Sequence, residues 1–139
     1  MFNKTKIREM SKKDYSKWHS IKTDVHNHKE RPYFHEREIW FSSIGSNVGF
    51  EQDGGGEEYM RPVIIIKKFN NQVCLVVPMT RKNKEGIHYF SFSYINGIIS
   101  TVILSQVRLI DAKRLAYKSG NVSKEDFGKL KEKLRRLIA

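Results

Sequence analysis

Arg61-Pro62-Val63-Ile64-Ile65-Ile66-Lys67-Lys68 runs into Phe69-Asn70-Asn71 and then into Gln72-Val73-Cys74-Leu75-Val76-Val77-Pro78-Met79. The first run is β-branched and continuous, which fits a buried strand entered at Pro62. Asn70-Asn71 is a turn pair, because asparagine side chains bond their own backbone and tolerate left-handed geometry. The second run is the antiparallel partner. Pairing the two about the turn brings Arg61, at the start of one strand, and Thr80, at the end of the other, to the same edge of the sheet.

Downstream the pattern stays β. Thr80-Arg81-Lys82-Asn83-Lys84-Glu85-Gly86 is a basic loop. His88 to Tyr94 alternates, with Phe90, Phe92 and Tyr94 on one face and Ser91 and Ser93 on the other. Asn96-Gly97 is a hairpin signal, since both positions tolerate positive φ. Thr101-Val102-Ile103-Leu104 returns as a strand, and Val107 to Ile110 is a further short one. A helix over 123–138 closes the chain. Ser123 caps it, Glu125 and Asp126 suit its first turn, and Phe127, Leu130, Leu134, Leu137 and Ile138 form one apolar stripe.

Upstream, Glu38-Ile39-Trp40-Phe41 is a short strand. Residues 45–60 hold five of the nine glycines together with Glu51, Asp53, Glu57 and Glu58, and show no periodicity. They predict a long loop between strands, a kind that is usually functional or disordered. Residues 1–36 are polar and basic and carry four of the five histidines. Ser11-Lys12-Lys13-Asp14 looks like a capping box, and Tyr15, Trp18, Ile21 and Val25 follow at helical spacing. An amphipathic helix of about four turns is expected, ended by Arg31-Pro32 and either packed on the barrel or on a second subunit or carrying an independent binding function. The expected organisation is a helical extension over 1–36 and a barrel domain over 37–139. The fold class is mainly β: a small, twisted antiparallel barrel with helical additions, its strands too closely spaced for crossover helices.

At 139 residues the chain fits one domain. Hydrophobic residues make up 39%, too many for a disordered chain. Twenty-six Lys and Arg stand against 15 Asp and Glu, a net charge of +11. Such a surface favours polyanions such as nucleic acid and argues against an acidic small molecule as main partner. The single Cys74 lies in an apolar run and excludes an internal disulfide or a cysteine-based zinc site within one chain. No signal peptide is visible, and the longest apolar runs are too short to span a bilayer. A cytoplasmic protein with no membrane partner is expected.

Generic catalytic motifs are weak. His26, His28 and His35 match no metal-ligand spacing. The glycines at 49, 54, 55 and 56 lack the Lys-Ser/Thr of a phosphate loop. The edge holding Arg61 and Thr80 is more informative. A guanidinium presents a planar fork of donors suited to phosphate oxygens, and a threonine hydroxyl adds one more.

Five segments in order carry a family resemblance: Glu38-Ile39-Trp40; Gly49-Phe50-Glu51-Gln52; Arg61-Pro62-Val63-Ile64-Ile65; Val77-Pro78-Met79-Thr80; and Leu104-Ser105-Gln106-Val107-Arg108-Leu109-Ile110-Asp111 with Arg114-Leu115. Over residues 37–139 the chain resembles the MazF/PemK family, the toxins of bacterial type II toxin–antitoxin systems. The resemblance implies a homodimer of SH3-like barrels that cuts single-stranded RNA, mRNA included, at short sequences without a metal or other cofactor. The 2′-hydroxyl attacks the adjacent phosphate, leaving a 2′,3′-cyclic phosphate and a 5′-hydroxyl. It also implies a cognate antitoxin as partner, and contact with DNA through the antitoxin complex. The family's catalytic arginine and threonine fall on Arg61 and Thr80, and the glutamate of its Glu-Gln pair falls on Glu51.

Arg61 is a poor general base, because a guanidinium keeps its proton near neutral pH. Glu51 or His88 is the candidate proton acceptor. Gln52, Phe50, Arg81, Lys82, Lys84 and His88 are the candidate RNA contacts, through stacking at Phe50 and charge at the basic loop. The plainer readings are a surface Arg61, a turn Thr80, a Glu51 that orients Arg61, and a packed Phe50. Two alternatives stand beside cleavage: a non-catalytic nucleic-acid-binding module, and a gyrase-poisoning toxin of the same fold. Relative to compact members, residues 1–36 are extra and Asp53–Met60 lengthens the loop before Arg61.

Overall fold

The computed structural model describes residues 13–139. Helix α1 (Tyr15–His26) precedes seven strands: β1 (Glu38–Ser43), β2 (Met60–Lys68), β3 (Val73–Thr80), β4 (Tyr89–Ile95), β5 (Ile98–Ile103), β6 (Arg108–Asp111) and β7 (Leu115–Asn121). Helix α2 (Lys124–Ile138) ends the chain. The strands form one antiparallel sheet in the order β4-β5-β3-β2-β1-β7, with β6 also on β3. The central hairpin is the one expected. Ile64 faces Val77 across it, and Asn70 Oδ1 accepts from the amides of Gln72 and Val73 in the turn. At Asn96-Gly97 only Gly97 takes positive φ, at 76°.

Strand β3 shares one edge between two neighbours. Its first half pairs with β6 and its last two residues, Met79 and Thr80, pair with Val102 and Thr101 of β5. The sheet therefore bends sharply there and curls toward a barrel. Its terminal strands β4 and β7 meet through side chains: Tyr94 Oη lies 3.5 Å from Ser119 Oγ. A Cβ on Gly120 would stand 3.0 Å from the Tyr94 ring. No ladder joins them, so the expected barrel is present as an open one. Strand β7 itself is absent from the sequence reading.

Alternation splits the apolar residues between two clusters. Ile64, Ile66, Val77, Met79, Phe92 and Val102 pack with Phe127, Leu130 and Leu134 of α2. Val63, Ile65 and Val76 pack with Phe34, Trp40, Ile110 and Leu115 on the opposite side. Ser123 Oγ accepts from the Asp126 amide at the start of α2, as its spacing predicts. Ile138, expected in the apolar stripe, is exposed, because it falls at the end of the last turn beyond the sheet. Cys74 is buried, and burial pushes its thiol up to about 11. No helix among the described residues is long and apolar enough to cross a membrane.

Helix α1 differs from its expectation at both ends. Asp14 is the N-cap, accepting from the Lys17 amide at 3.0 Å, and Ser11 lies outside the described residues. The helix stops at His26 with Asn27 as C-cap, several residues before Arg31-Pro32. Trp18 is its one buried residue. Beyond it, Arg31 grips Asp111 with two bonds of 2.9 Å, anchoring the connecting segment to the end of β6.

Two carboxylates stake part of the stability on their ionised forms. At Glu38, burial raises the proton affinity. The bonds from the His35 amide, the Trp40 indole and Lys118 outweigh it and hold the carboxyl below its ordinary value. At Asp111, the Arg31 fork does the same. A depressed folded-state value adds stability above the unfolded value of about 4, and that stability is lost as pH falls through the folded value. Unfolding free energy is thus expected to hold above pH of about 5 and decline below about 4. Glu38→Gln should flatten the decline in denaturant titrations across that range; an unchanged slope would remove Glu38 from the account.

Candidate nucleic-acid site

Arg61 and Thr80 come together. The β2/β3 register pairs Val63 with Pro78, and extending it by two residues sets Arg61 opposite Thr80. Both follow the parity of Val63, Ile65 and Val76, so they project from the same sheet face. They line one cleft of about 290 Å³ with Phe41, Pro62, Arg81, Tyr94 and Ser100.

The Arg61 side chain is half-buried and held by backbone. Its Nε donates to Asp53 O at 2.6 Å and its Nη1 to Met79 O at 3.0 Å. Those two bonds use two of the five N–H donors of a guanidinium. The other three have no protein partner among the described residues. Burial lowers the Arg61 proton affinity and the charge of Asp53 opposes that. Thr80 Oγ1 accepts from the Lys82 amide at 3.2 Å, which leaves its own proton to donate. Donors without acceptors, on a positively charged wall, form a place for an anionic oxygen.

The loop from Ile44 to Tyr59 supplies the carbonyl that orients Arg61. Its base is zipped by Ile44 N and Gly45 N to Tyr59 O, Gly54 N to Gly45 O, and a two-bond bridge between Gly55 and Met60. Tyr59 takes φ of 55°, uncommon for an aromatic residue and a mark of a constrained turn. Gly54 is obligatory for a different reason. A Cβ there would lie 1.6 Å from Tyr59 O, a backbone atom that cannot swing aside. Gly54→Ala is expected to open the loop base and cost about 1–3 kcal/mol, as overpacking does, read as a lower thermal midpoint. An unchanged midpoint would show that the loop base tolerates a methyl group and that this contact is not fixed.

The other sequence candidates are distributed around this cleft. Arg81 is in it, with Lys82 and Lys84 exposed on the following loop and Lys84 Nζ 5.7 Å from the Tyr89 ring centre. Glu51 and Gln52 line a neighbouring polar cleft of about 330 Å³ with Asn47, Gln106 and Arg108. Glu51 Oε1 accepts from the Val48 amide at 3.0 Å, and the carboxylate makes no ion pair with Arg61. Gln52 is pinned by its amide to Gln106 Oε1 and by its side chain to Asp53 O. Phe50 is fully exposed, which overturns the reading of it as a packed residue. His88 is exposed at the entry to β4, three residues from Ser91 in the Ser91–Thr101–Thr80 row. That is about 10 Å along a strand, so the fold separates it from the Arg61 cleft. The sequence reading missed Asp53, Tyr94 and Ser100; the one signal for Asp53 was its position before three glycines. A larger cleft of about 430 Å³ between α1 and β7 holds none of the candidates.

The family described as PemK-like, MazF-like toxin of type II toxin-antitoxin system matches residues 37–138. Among solved structures, MazF from Deinococcus radiodurans aligns with a TM-score of 0.59 at 16% identity, over 79% of this chain and 98% of its own. The Mycobacterium tuberculosis toxin MazF-mt6 aligns at 0.57 and 17% identity, over 73% and 96%. A mycobacterial endoribonuclease in complex with its cognate antitoxin aligns at 0.58 and 11%, over 76% and 95%. At such identities the structures testify to a shared fold. Comparison with curated proteins gives no match. The fold shared with these structures is a curled antiparallel sheet with a closing helix. The chain belongs to the PemK-like, MazF-like toxin family of type II toxin–antitoxin systems.

Proposed function

We propose that this toxin is an endoribonuclease that cuts single-stranded RNA without a metal. One observation carries the reading: Arg61 and Thr80 line the same cleft, and three guanidinium N–H groups there are without a protein partner among the described residues. A phosphodiester seated in that cleft receives a forked cation and a hydroxyl on its non-bridging oxygens. The 2′-oxygen attacks phosphorus, the bond to the 5′-oxygen breaks, and the leaving oxygen takes a proton from water, giving a 2′,3′-cyclic phosphate and a 5′-hydroxyl. Charge grows on the non-bridging oxygens during this step, and donors fixed in advance stabilise it. Glu51, exposed on the loop two residues before Asp53, is the proposed acceptor of the 2′-hydroxyl proton. Arg81, Lys82 and Lys84 draw the RNA backbone in by charge, and Phe50 offers a free face for base stacking. The same reading assigns a homodimer, an antitoxin that covers this basic face, and a cytoplasmic site of action.

The test is incubation of the purified chain with a long RNA in excess chelator, followed by mapping of the ends. Discrete cuts bearing cyclic phosphate, lost in Arg61→Ala and in Thr80→Ala, support the reading. Bound but uncut RNA would replace it with a binding module, and poisoned gyrase with intact RNA would replace it with a toxin of another target.

A further inference from the structure

The lengthened loop beside Arg61 is gripped by the segment that lies outside the family match. Lys13 is the centre of the grip. Its ammonium donates to Asn47 O and to Gly49 O, and pairs with Asp53 Oδ2 at 3.0 Å. Two hydrogen bonds and one ion pair thus tie this ammonium to a single loop. The other oxygen of Asp53 accepts from the Asn47 amide at 2.6 Å, so Lys13 and Asn47 together fix the Asp53 carboxylate. The carbonyl of the same residue then meets Arg61 Nε.

The neighbours of Lys13 act alike. Tyr15 Oη donates to Asn47 O at 2.8 Å, and Tyr59 Oη donates to Asp14 O at 3.0 Å. Trp18 is buried with its ring 5.5 Å from that of Tyr59. It sits so close over Gly45 that a Cβ there would overlap the indole. Loops of this length are mobile by default, since ordering them costs conformational entropy that few contacts offset. Here the N-terminal segment adds its contacts to those the loop makes within itself.

We propose that the N-terminal segment is a clamp for the RNA site, and that Lys13 is a positioning residue for Arg61, acting through Asp53. The clamp also sets where Phe50, Glu51 and Gln52 stand. Its catalytic consequence rests on the endoribonuclease reading, while its structural content does not.

Two measurements on the full chain separate these. In Lys13→Met, amide hydrogen exchange over residues 47–55 is expected to speed up about tenfold or more while β1, β2 and β3 keep their protection. In the same variant kcat for RNA cleavage is expected to fall about tenfold, the scale of a small misplacement of a reacting group, with KM changed less. Lys13→Arg, which keeps the charge and the reach, should restore both. A general loss of fold would raise exchange across the whole sheet and would not be rescued selectively. If loop exchange is unchanged in Lys13→Met, the clamp is overturned, whatever the RNA does. If the loop loosens but kcat holds in an enzyme that cleaves RNA, the link to Arg61 is overturned. If the unaltered chain cuts no RNA, the functional reading fails and the exchange result still decides the clamp.

Discussion

Arg61→Ala is expected to reduce RNA cleavage by about 10²–10³-fold, the usual loss when one preorganised donor to a developing oxyanion is removed. The effect should lie in kcat, because the phosphate charge to be stabilised grows during the reaction. Arg61→Lys should recover only part of the rate. A lysine keeps the positive charge but not the planar fork, and it cannot hold Asp53 O and Met79 O while offering further donors in the same plane. Single-turnover cleavage of one defined RNA in chelator measures all three proteins. Equal rates for the wild type and Arg61→Ala would place the chemistry elsewhere. Equal rates for the wild type and Arg61→Lys would mean that charge alone matters.

The largest stability effect is expected at Phe127. It is buried on the first turn of α2 and packs into the cluster containing Ile64, Val77 and Val102. Phe127→Ala leaves a void roofed by a helix tied at its start by the Ser123 cap, so collapse around the void is restricted. A cost of about 3–5 kcal/mol follows, a large share of the total for a domain of this size. Urea unfolding should show a lower midpoint with an unchanged slope. A cost under about 1 kcal/mol would mean that α2 lies on the sheet without completing its core.

These two residues were legible before the fold because their signals are local. Phe127 follows a serine cap and begins a stripe at helical spacing. Arg61 and Thr80 stand at the two ends of one hairpin, so locating the Asn70-Asn71 turn locates the pair. Strand β7 was not legible because six of its seven residues are not fully buried, and only Leu115 is. An edge strand of this kind is held by backbone bonds to β1 and shows little apolar pattern. The end of α1 was misplaced because Arg31-Pro32 marks where a helix cannot continue, whereas Asn27 marks where this one stops. The restraint on Arg61 was hidden more deeply. It is a main-chain carbonyl, which any residue type supplies, delivered by a lysine forty positions away in sequence.

The open barrel has a mechanical consequence at the cleft. Tyr94 is at once a wall of the Arg61 and Thr80 cleft and the residue that abuts Ser119 and Gly120 across the gap between the first and last strands. Parting that seam breaks one long hydroxyl contact and some ring packing but no main-chain ladder. The mouth of the cleft is therefore bounded on one side by a braced loop and on the other by a wall free to yield by side-chain motion alone.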